Sequence, residues 1–129
     1  MVKAIIVDDE PAVAAIITHF IEREHIPIEI AGTAVNGRQA VEMIKKQDPR
    51  LVFLDIQMPL MNGFEVMKEC PDIHYIIITA YESFEYAQQA LRLGAKDILL
   101  KPVEYKQFIQ AITRAIGWQF TPNAMVNSI

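Results

Sequence analysis

The stretch Leu51–Asp55, with the sequence Leu-Val-Phe-Leu-Asp, decides the fold, because four consecutive apolar residues end at a carboxylate. An unbroken apolar run of this length is typical of a strand buried on both faces of a parallel sheet. Three further runs show the same pattern: residues 4–7 before Asp8 and Asp9, residues 76–78 before Thr79, and residues 98–100 before Lys101. Ligands of open α/β sheets bind outside the carboxyl ends of the strands, so the sequence predicts that these polar side chains meet at one edge.

Segments with helical periodicity separate the apolar runs, and this alternation indicates a βα repeat. We predict strands at residues 3–7, 28–34, 51–54, 73–78 and 97–100. We predict helices from Glu10-Pro11, from Asn36-Gly37 to Asp48-Pro49, and at residues 64–69, 84–93 and 104–116, with Ser83 and Gly94 bounding the fourth. Crossovers between parallel strands are right-handed, so the helices should cover both faces of an α/β sheet.

Length and charge restrict the class of protein. A chain of 129 residues is predicted to form one domain. Its 16 acidic and 12 basic residues give a net charge of −4, which makes it a poor nucleic-acid binder by itself. A single cysteine, Cys70, forms no intrachain disulfide and favours a reducing cytoplasm. Only four apolar residues lie between Lys3 and Asp8, too few for a signal peptide or a membrane span, so no membrane partner is expected.

The predicted edge of the sheet has the chemistry of a cation and a phosphoryl group. Asp8, Asp9 and Asp55 would place three negative charges in one cleft, where they repel each other unless a cation intervenes. Oxygen ligands select a hard cation such as Mg²⁺, while Lys101 and Thr79 could hold phosphoryl oxygens. Asp55 stands alone on a central strand, so it is the better acceptor, and the paired aspartates suit the metal.

Each of these residues also has a simpler interpretation. Asp9 could cap the following helix, and Thr79 could bond its own backbone. Lys101 could be a solvated side chain, and Asp55 could be a turn former before Pro59. The coincidence of all four residue types at strand ends favours a shared site over four separate explanations.

At these residues the sequence resembles the receiver domain of bacterial two-component response regulators. The resemblance rests on four segments, namely residues 6–10, residues 54–63, Thr79-Ala80, and residues 94–97 through Lys101-Pro102. It runs from about Lys3 to Ile116. It implies a flavodoxin-like (βα)5 fold with the strand order 2-1-3-4-5.

The resemblance also implies a phosphoryl acceptor and its metal ligands. Asp55 would accept a phosphoryl group from the phosphohistidine of a sensor histidine kinase. Asp9, Asp55 and the backbone carbonyl of Gln57 would ligate Mg²⁺, with Asp8 acting through water. Catalysis would be limited to the chain's own phosphorylation and dephosphorylation, so it would not be a turnover enzyme.

Further roles follow from the same resemblance. Thr79 and Lys101 would contact the phosphoryl oxygens, and the Lys101–Pro102 bond would be cis. Gln57 and Tyr81 would modulate autodephosphorylation. The sequence departs from the family at Ile98, where a tyrosine or phenylalanine is usual. We therefore expect Thr79 to move toward the phosphoryl group without a swinging ring, while the fourth helix and fifth strand repack.

The resemblance implies that the phosphorylated domain signals to its partners through a face formed by the fourth and fifth helices. The expected face includes Phe84, Ala87, Ala90 and Leu91, about half of them in the core, and it would support a homodimer on phosphorylation. The stretch 79–87 resembles receivers joined to AraC-type helix-turn-helix domains. We predict a receiver at 1–117 and a linker, or the start of a missing output domain, at 118–129, with DNA binding only through that missing part.

Three alternatives belong to other classes. A receiver could act alone through protein contacts, which the reading frame beyond Ile129 would reveal. A Mg²⁺-dependent phosphatase with an aspartate nucleophile would need an Asp-x-Asp pair and a cap domain, and Asp8-Asp9-Glu10 lacks that spacing. A flavodoxin-like cofactor binder would need a phosphate-cradling loop after the first strand, where this chain is acidic.

Overall fold

The computed structural model describes residues 1–118, in which five strands alternate with five helices. The strands are β1 (Val2–Val7), β2 (Ile28–Ala34), β3 (Leu51–Asp55), β4 (His74–Thr79) and β5 (Asp97–Leu100). The helices are α1 (Pro11–Arg23), α2 (Gly37–Gln47), α3 (Gly63–Glu69), α4 (Phe84–Arg92) and α5 (Tyr105–Ile116). All pairings are parallel and the strand order is β2-β1-β3-β4-β5, so the predicted flavodoxin-like α/β fold is confirmed.

The register of the sheet aligns the carboxyl ends of four strands. Val7 pairs with Leu54, Asp55 with Ile78, and Thr79 with Leu100. Each of these four strands ends at, or one residue after, one of these paired residues. The polar residues that follow β1 and β5, and those that end β3 and β4, therefore lie along one edge, as the strand-end pattern predicts.

Two apolar layers enclose the sheet. On one face α1 and α5 pack on alternate strand residues, and the Phe53 ring stacks on the Phe108 ring at 5.9 Å between centroids. On the other face α2, α3 and α4 cover the intervening residues, which include Val52 and Leu54. Burial on both faces explains why β3 is apolar without alternation.

Local signals set most helix boundaries. The Ser83 hydroxyl accepts a hydrogen bond from Tyr86 N–H at the start of α4, and Gly94 follows its end with a φ of +97°. Observed ends differ from the predicted ones by about one residue. Glu104, for example, has an extended backbone and precedes α5 instead of starting it.

Cys70 follows α3 as its C-cap and is buried. Of the predicted linker at residues 118–129, everything beyond Trp118 lies outside the described residues. Within residues 1–118, none of the helices has both the length and the apolar character that crossing a bilayer requires.

Candidate functional site

Four charged side chains meet at the carboxyl edge of the sheet, with Lys101 at their centre. Its Nζ atom lies 2.6 Å from Glu10 Oε1, 2.9 Å from Asp8 Oδ2 and 3.3 Å from Asp55 Oδ2. The Asp8 and Asp55 side chains are almost fully buried, and that of Lys101 is 12% exposed. Glu10 lies on the solvent side of this cluster, since its side chain is 58% exposed.

Backbone hydrogen bonds hold these side chains in place. Lys101 N–H donates to the Thr79 carbonyl at 2.8 Å, and the Lys101–Pro102 peptide bond is cis. Asp8 Oδ1 accepts from Glu10 N–H at 2.8 Å, and Asp55 Oδ1 accepts from Gln57 N–H at 3.1 Å. Lys101 Nζ donates hydrogen bonds to Asp8 Oδ1 and to Asp55 Oδ2, both at 3.3 Å.

Burial and the charges of neighbouring groups shift the pKa values of the ionisable side chains in the site. Burial raises the pKa of Asp8, against the hydrogen bonds from Glu10 N–H and Lys101. Burial also raises the pKa of Asp55, and the negative charge of Asp8 adds to the increase. Burial lowers the pKa of Lys101, but its carboxylate partners together outweigh that effect and raise the pKa above its usual 10.5. The ammonium therefore stays charged, while the two carboxylates lack full compensation.

The residues at this edge fit a hard divalent cation. Carboxylate oxygens of Asp8, Asp9 and Glu10 lie within 4.8 Å of one another, and Asp9 is exposed. Asp8 Oδ2 is buried and accepts no hydrogen bond from the described residues, although Lys101 Nζ lies 2.9 Å away outside hydrogen-bonding geometry. Asp55 is outside this tight group and connects to it through Lys101. Mg²⁺ prefers oxygen ligands. This group of carboxylates, in which the buried Asp8 Oδ2 accepts no hydrogen bond from the described residues, therefore suits it.

The other predicted site residues surround this cluster. Thr79 is 2% exposed, and its Oγ1 accepts a hydrogen bond from Tyr81 N–H at 3.1 Å. Gln57 is exposed, and the Tyr81 side chain is at the surface with an exposed fraction of 56%. Asp8 and Asp55 therefore both contact Lys101 directly. The Thr79 side chain instead bonds the backbone of the loop that follows β4.

A cavity of about 350 Å³ lies beside Ile98, the position where the sequence departs from the family that it resembles. Its lining includes Ile56, Thr79, Tyr81, Phe84, Tyr86 and Ile98. Phe84 is 78% exposed and Leu91 57% exposed, whereas Ala90 is fully buried and Ala87 is half-buried. Of the four residues expected on the output face, Ala90 therefore belongs to the core.

Sequence reasoning missed the role of Glu10, to which it assigned no contact in the site. Glu10 is the N-cap residue of α1, yet its side chain makes no capping hydrogen bond and reaches Lys101 instead. Asp9, the predicted candidate for capping, precedes the N-cap. The position of Glu10 directly after a strand-end aspartate pair indicates that it lies at the same edge, but its pairing with Lys101 has no signal in the sequence.

The sequence and the fold of the chain are similar to those of known proteins. The sequence model of the response regulator receiver domain matches residues 4–113. The chain is 33% identical over 116 residues to the chemotaxis protein CheY of Thermotoga maritima, covering 87% of this chain and 95% of that protein. The solved structure of the receiver domain of AraT, a response regulator from Geobacillus stearothermophilus, superposes with a TM-score of 0.79 at 32% identity, covering 88% of this chain and 92% of that one.

Longer relatives match over part of their length. The chain is 33% identical over 121 residues to the uncharacterized transcriptional regulatory protein YesN of Bacillus subtilis, covering 91% of this chain and 33% of that protein. It is 35% identical over 114 residues to the regulatory protein LuxO of Vibrio cholerae, covering 85% of this chain and 24% of that protein. The chain thus spans about a third and about a quarter of these two regulators.

Proposed function

The chain belongs to the family of response regulator receiver domains, and from that membership and the geometry of its site we propose that Asp55 accepts a phosphoryl group from a sensor histidine kinase. The observation that carries the proposal is the ammonium of Lys101, which lies 3.3 Å from Asp55 Oδ2 inside an otherwise acidic cluster. An ammonium beside a buried carboxylate can hold the oxygens of a group transferred to that carboxylate.

The chemical step forms one bond and breaks one. A carboxylate oxygen of Asp55 attacks phosphorus, the P–N bond of the phosphohistidine breaks, and the imidazole leaves with that electron pair. Lys101 and Thr79 donate hydrogen bonds to the phosphoryl oxygens, for which the Thr79 hydroxyl moves toward them. Mg²⁺, when held by Asp8, Asp9, Asp55 and the Gln57 carbonyl, supplies positive charge to the phosphoryl oxygens. The product is an acyl phosphate on Asp55.

The conformational response is proposed to pass through Thr79 to α4 and β5. Ile98 has no ring that could swing, and a cavity beside it separates Thr79 from the exposed Phe84. Movement of the Thr79 hydroxyl changes one wall of that cavity, and we expect α4 and β5 to repack around it. Gln57 and Tyr81, exposed at the rim, would modulate the return to the resting state.

We predict that phosphorylation changes the amide chemical shifts of residues 83–92 and 97–100. The measurement compares spectra before and after acetyl phosphate and Mg²⁺ are added. The Asp55→Asn protein is the control, and its spectrum should keep these shifts. A phosphorylated protein whose α4 and β5 amides are unmoved would refute this route.

The output is proposed to be control of transcription in the cytoplasm. YesN, a longer relative, is named a transcriptional regulatory protein, and the stretch 79–87 resembles receivers of AraC-type regulators. Exposed Phe84, Leu91 and Leu100 offer an apolar surface for a phosphorylation-dependent homodimer, and DNA would bind through a separate output domain. The match to 95% of CheY favours a second candidate, a receiver that signals alone through protein contacts.

The proposed activity is tested by incubating the protein with acetyl phosphate and Mg²⁺ and measuring its intact mass. We expect the wild type to gain one phosphoryl group, and neither Asp55→Asn nor metal-free protein to gain it. A stoichiometric gain without turnover distinguishes a receiver from an enzyme with its own substrate. A phosphoryl gain by Asp55→Asn would remove Asp55 from this role.

A further inference from the structure

We propose that Glu10 is a positioning residue that draws the ammonium of Lys101 away from Asp55 and so restrains phosphoryl transfer. The inference rests on the proposed function, because the restraint concerns the lysine that would hold the phosphoryl group. Its evidence is geometric: Nζ lies 2.6 Å from Glu10 Oε1 and 3.3 Å from Asp55 Oδ2.

Glu10 does not cap the helix that it precedes. Acidic side chains near a helix start usually bond its free N–H groups, but the carboxylate of Glu10 makes no such bond. It does not point freely into solvent either, since it makes the shortest of the three ion pairs of Lys101. Besides its place in the acidic group with Asp8 and Asp9, its side chain contacts Nζ of Lys101, across 91 residues of sequence.

The ammonium has no spare donor in the resting site. A lysine offers three N–H groups, and hydrogen bonds to Asp8, Glu10 and Asp55 use all three. The Lys101 backbone is held by its bond to the Thr79 carbonyl, so only the side chain can respond. For Lys101 to direct more than the one N–H group that already faces Asp55 toward a phosphoryl group there, its contact with Glu10 must lengthen.

Two substitutions separate the charge of Glu10 from its length. Glu10→Gln keeps the length and removes the charge, while Glu10→Asp keeps the charge and is one methylene too short for the contact. Both should speed phosphoryl gain from acetyl phosphate at saturating Mg²⁺ by about two- to fivefold, the range that loss of a half-exposed ion pair supports. Glu82→Gln is the matched control, because Glu82 is an exposed acid that follows β4 at the same edge.

A second readout needs no phosphorylation. In metal-free protein, the Cε chemical shift of Lys101 should move in both Glu10 variants and stay fixed in Glu82→Gln. Mg²⁺ affinity, measured by calorimetry, should fall in Glu10→Gln and persist in Glu10→Asp, because it depends on charge and not on the lysine contact.

The outcomes distinguish this inference from the proposed function. Unchanged or slower phosphorylation in either Glu10 variant, or a Glu10→Asp protein identical to wild type, would overturn the restraint while leaving Asp55 as acceptor. If the wild type gains no phosphoryl group, the proposed function fails. The Lys101 chemical shift then decides alone whether Glu10 positions the ammonium.

Discussion

Replacing Lys101 with methionine is expected to lower the free energy of unfolding by about 3 kcal/mol at neutral pH without divalent cations. Methionine has a similar length and fills the space, but it leaves the buried carboxylates of Asp8 and Asp55 facing each other without a counter-charge. Removing one partner from a buried ion pair strands the other charge, which is the source of the large effect. Urea denaturation measures it, and added Mg²⁺ should restore more stability to this variant than to wild type.

The destabilisation by Lys101→Met should depend on pH with a definite sign. The folded pKa values of Asp8 and Asp55 already lie above the usual 3.8, and without the ammonium they rise further. As pH falls through these raised values, the folded state takes up protons before the unfolded state does. Stability relative to wild type therefore recovers on acidification and is lowest at neutral and higher pH.

Lys106→Met provides the matched control for this charge effect, because Lys106 is exposed on α5. Its loss should change the free energy of unfolding by less than about 0.5 kcal/mol. A Lys101→Met protein as stable as Lys106→Met would show that the ion pairs at the edge of the sheet contribute nothing to the fold.

Replacing Gly63 with alanine is expected to destabilise the fold by about 3 kcal/mol and to reduce phosphoryl gain on Asp55. A Cβ atom at Gly63 would lie 2.7 Å from the Asp55 carbonyl oxygen and 3.0 Å from Ile56 Cα. Both obstacles are backbone atoms of the segment that carries the acceptor, so α3 or the end of β3 must move. Thermal unfolding and intact mass after acetyl phosphate measure the two effects.

Gly32→Ala is the control for the close approach at Gly63. A Cβ atom there would lie 2.8 Å from Met43 Sδ, but that thioether belongs to a flexible side chain that can rotate away. We expect a loss below about 1 kcal/mol and unchanged phosphorylation. Equal losses at the two glycines would contradict the importance of the contact between α3 and the acceptor strand.

Much of the site was predictable because ligands of open α/β sheets bind at the carboxyl ends of the strands. Asp55 and Thr79 end adjacent strands, and Lys101 directly follows β5, so a parallel sheet brings them to one edge whatever the side-chain detail. The boundaries of α4 were predictable for a similar reason, since Ser83 and Gly94 act through local backbone chemistry.

Contacts that depend on tertiary geometry were not predictable. Glu10 reaches a lysine 91 residues away, and that depends on the rotamer of one exposed side chain. The burial of Ala90 beside an exposed Leu91 depends on how α4 sits on the sheet, which helical periodicity alone does not fix. The close approach of Gly63 to the Asp55 carbonyl likewise arises only when α3 packs against β3.

The most direct test of the central claim is to locate the phosphoryl group after reaction with acetyl phosphate and Mg²⁺. Borohydride reduces an acyl phosphate on aspartate to homoserine, and peptide mass mapping then identifies the residue. The account predicts homoserine at position 55, and none at positions 8 and 9 or in metal-free protein. Homoserine at Asp8 or Asp9, or a phosphorylated protein with no homoserine at position 55, would contradict it.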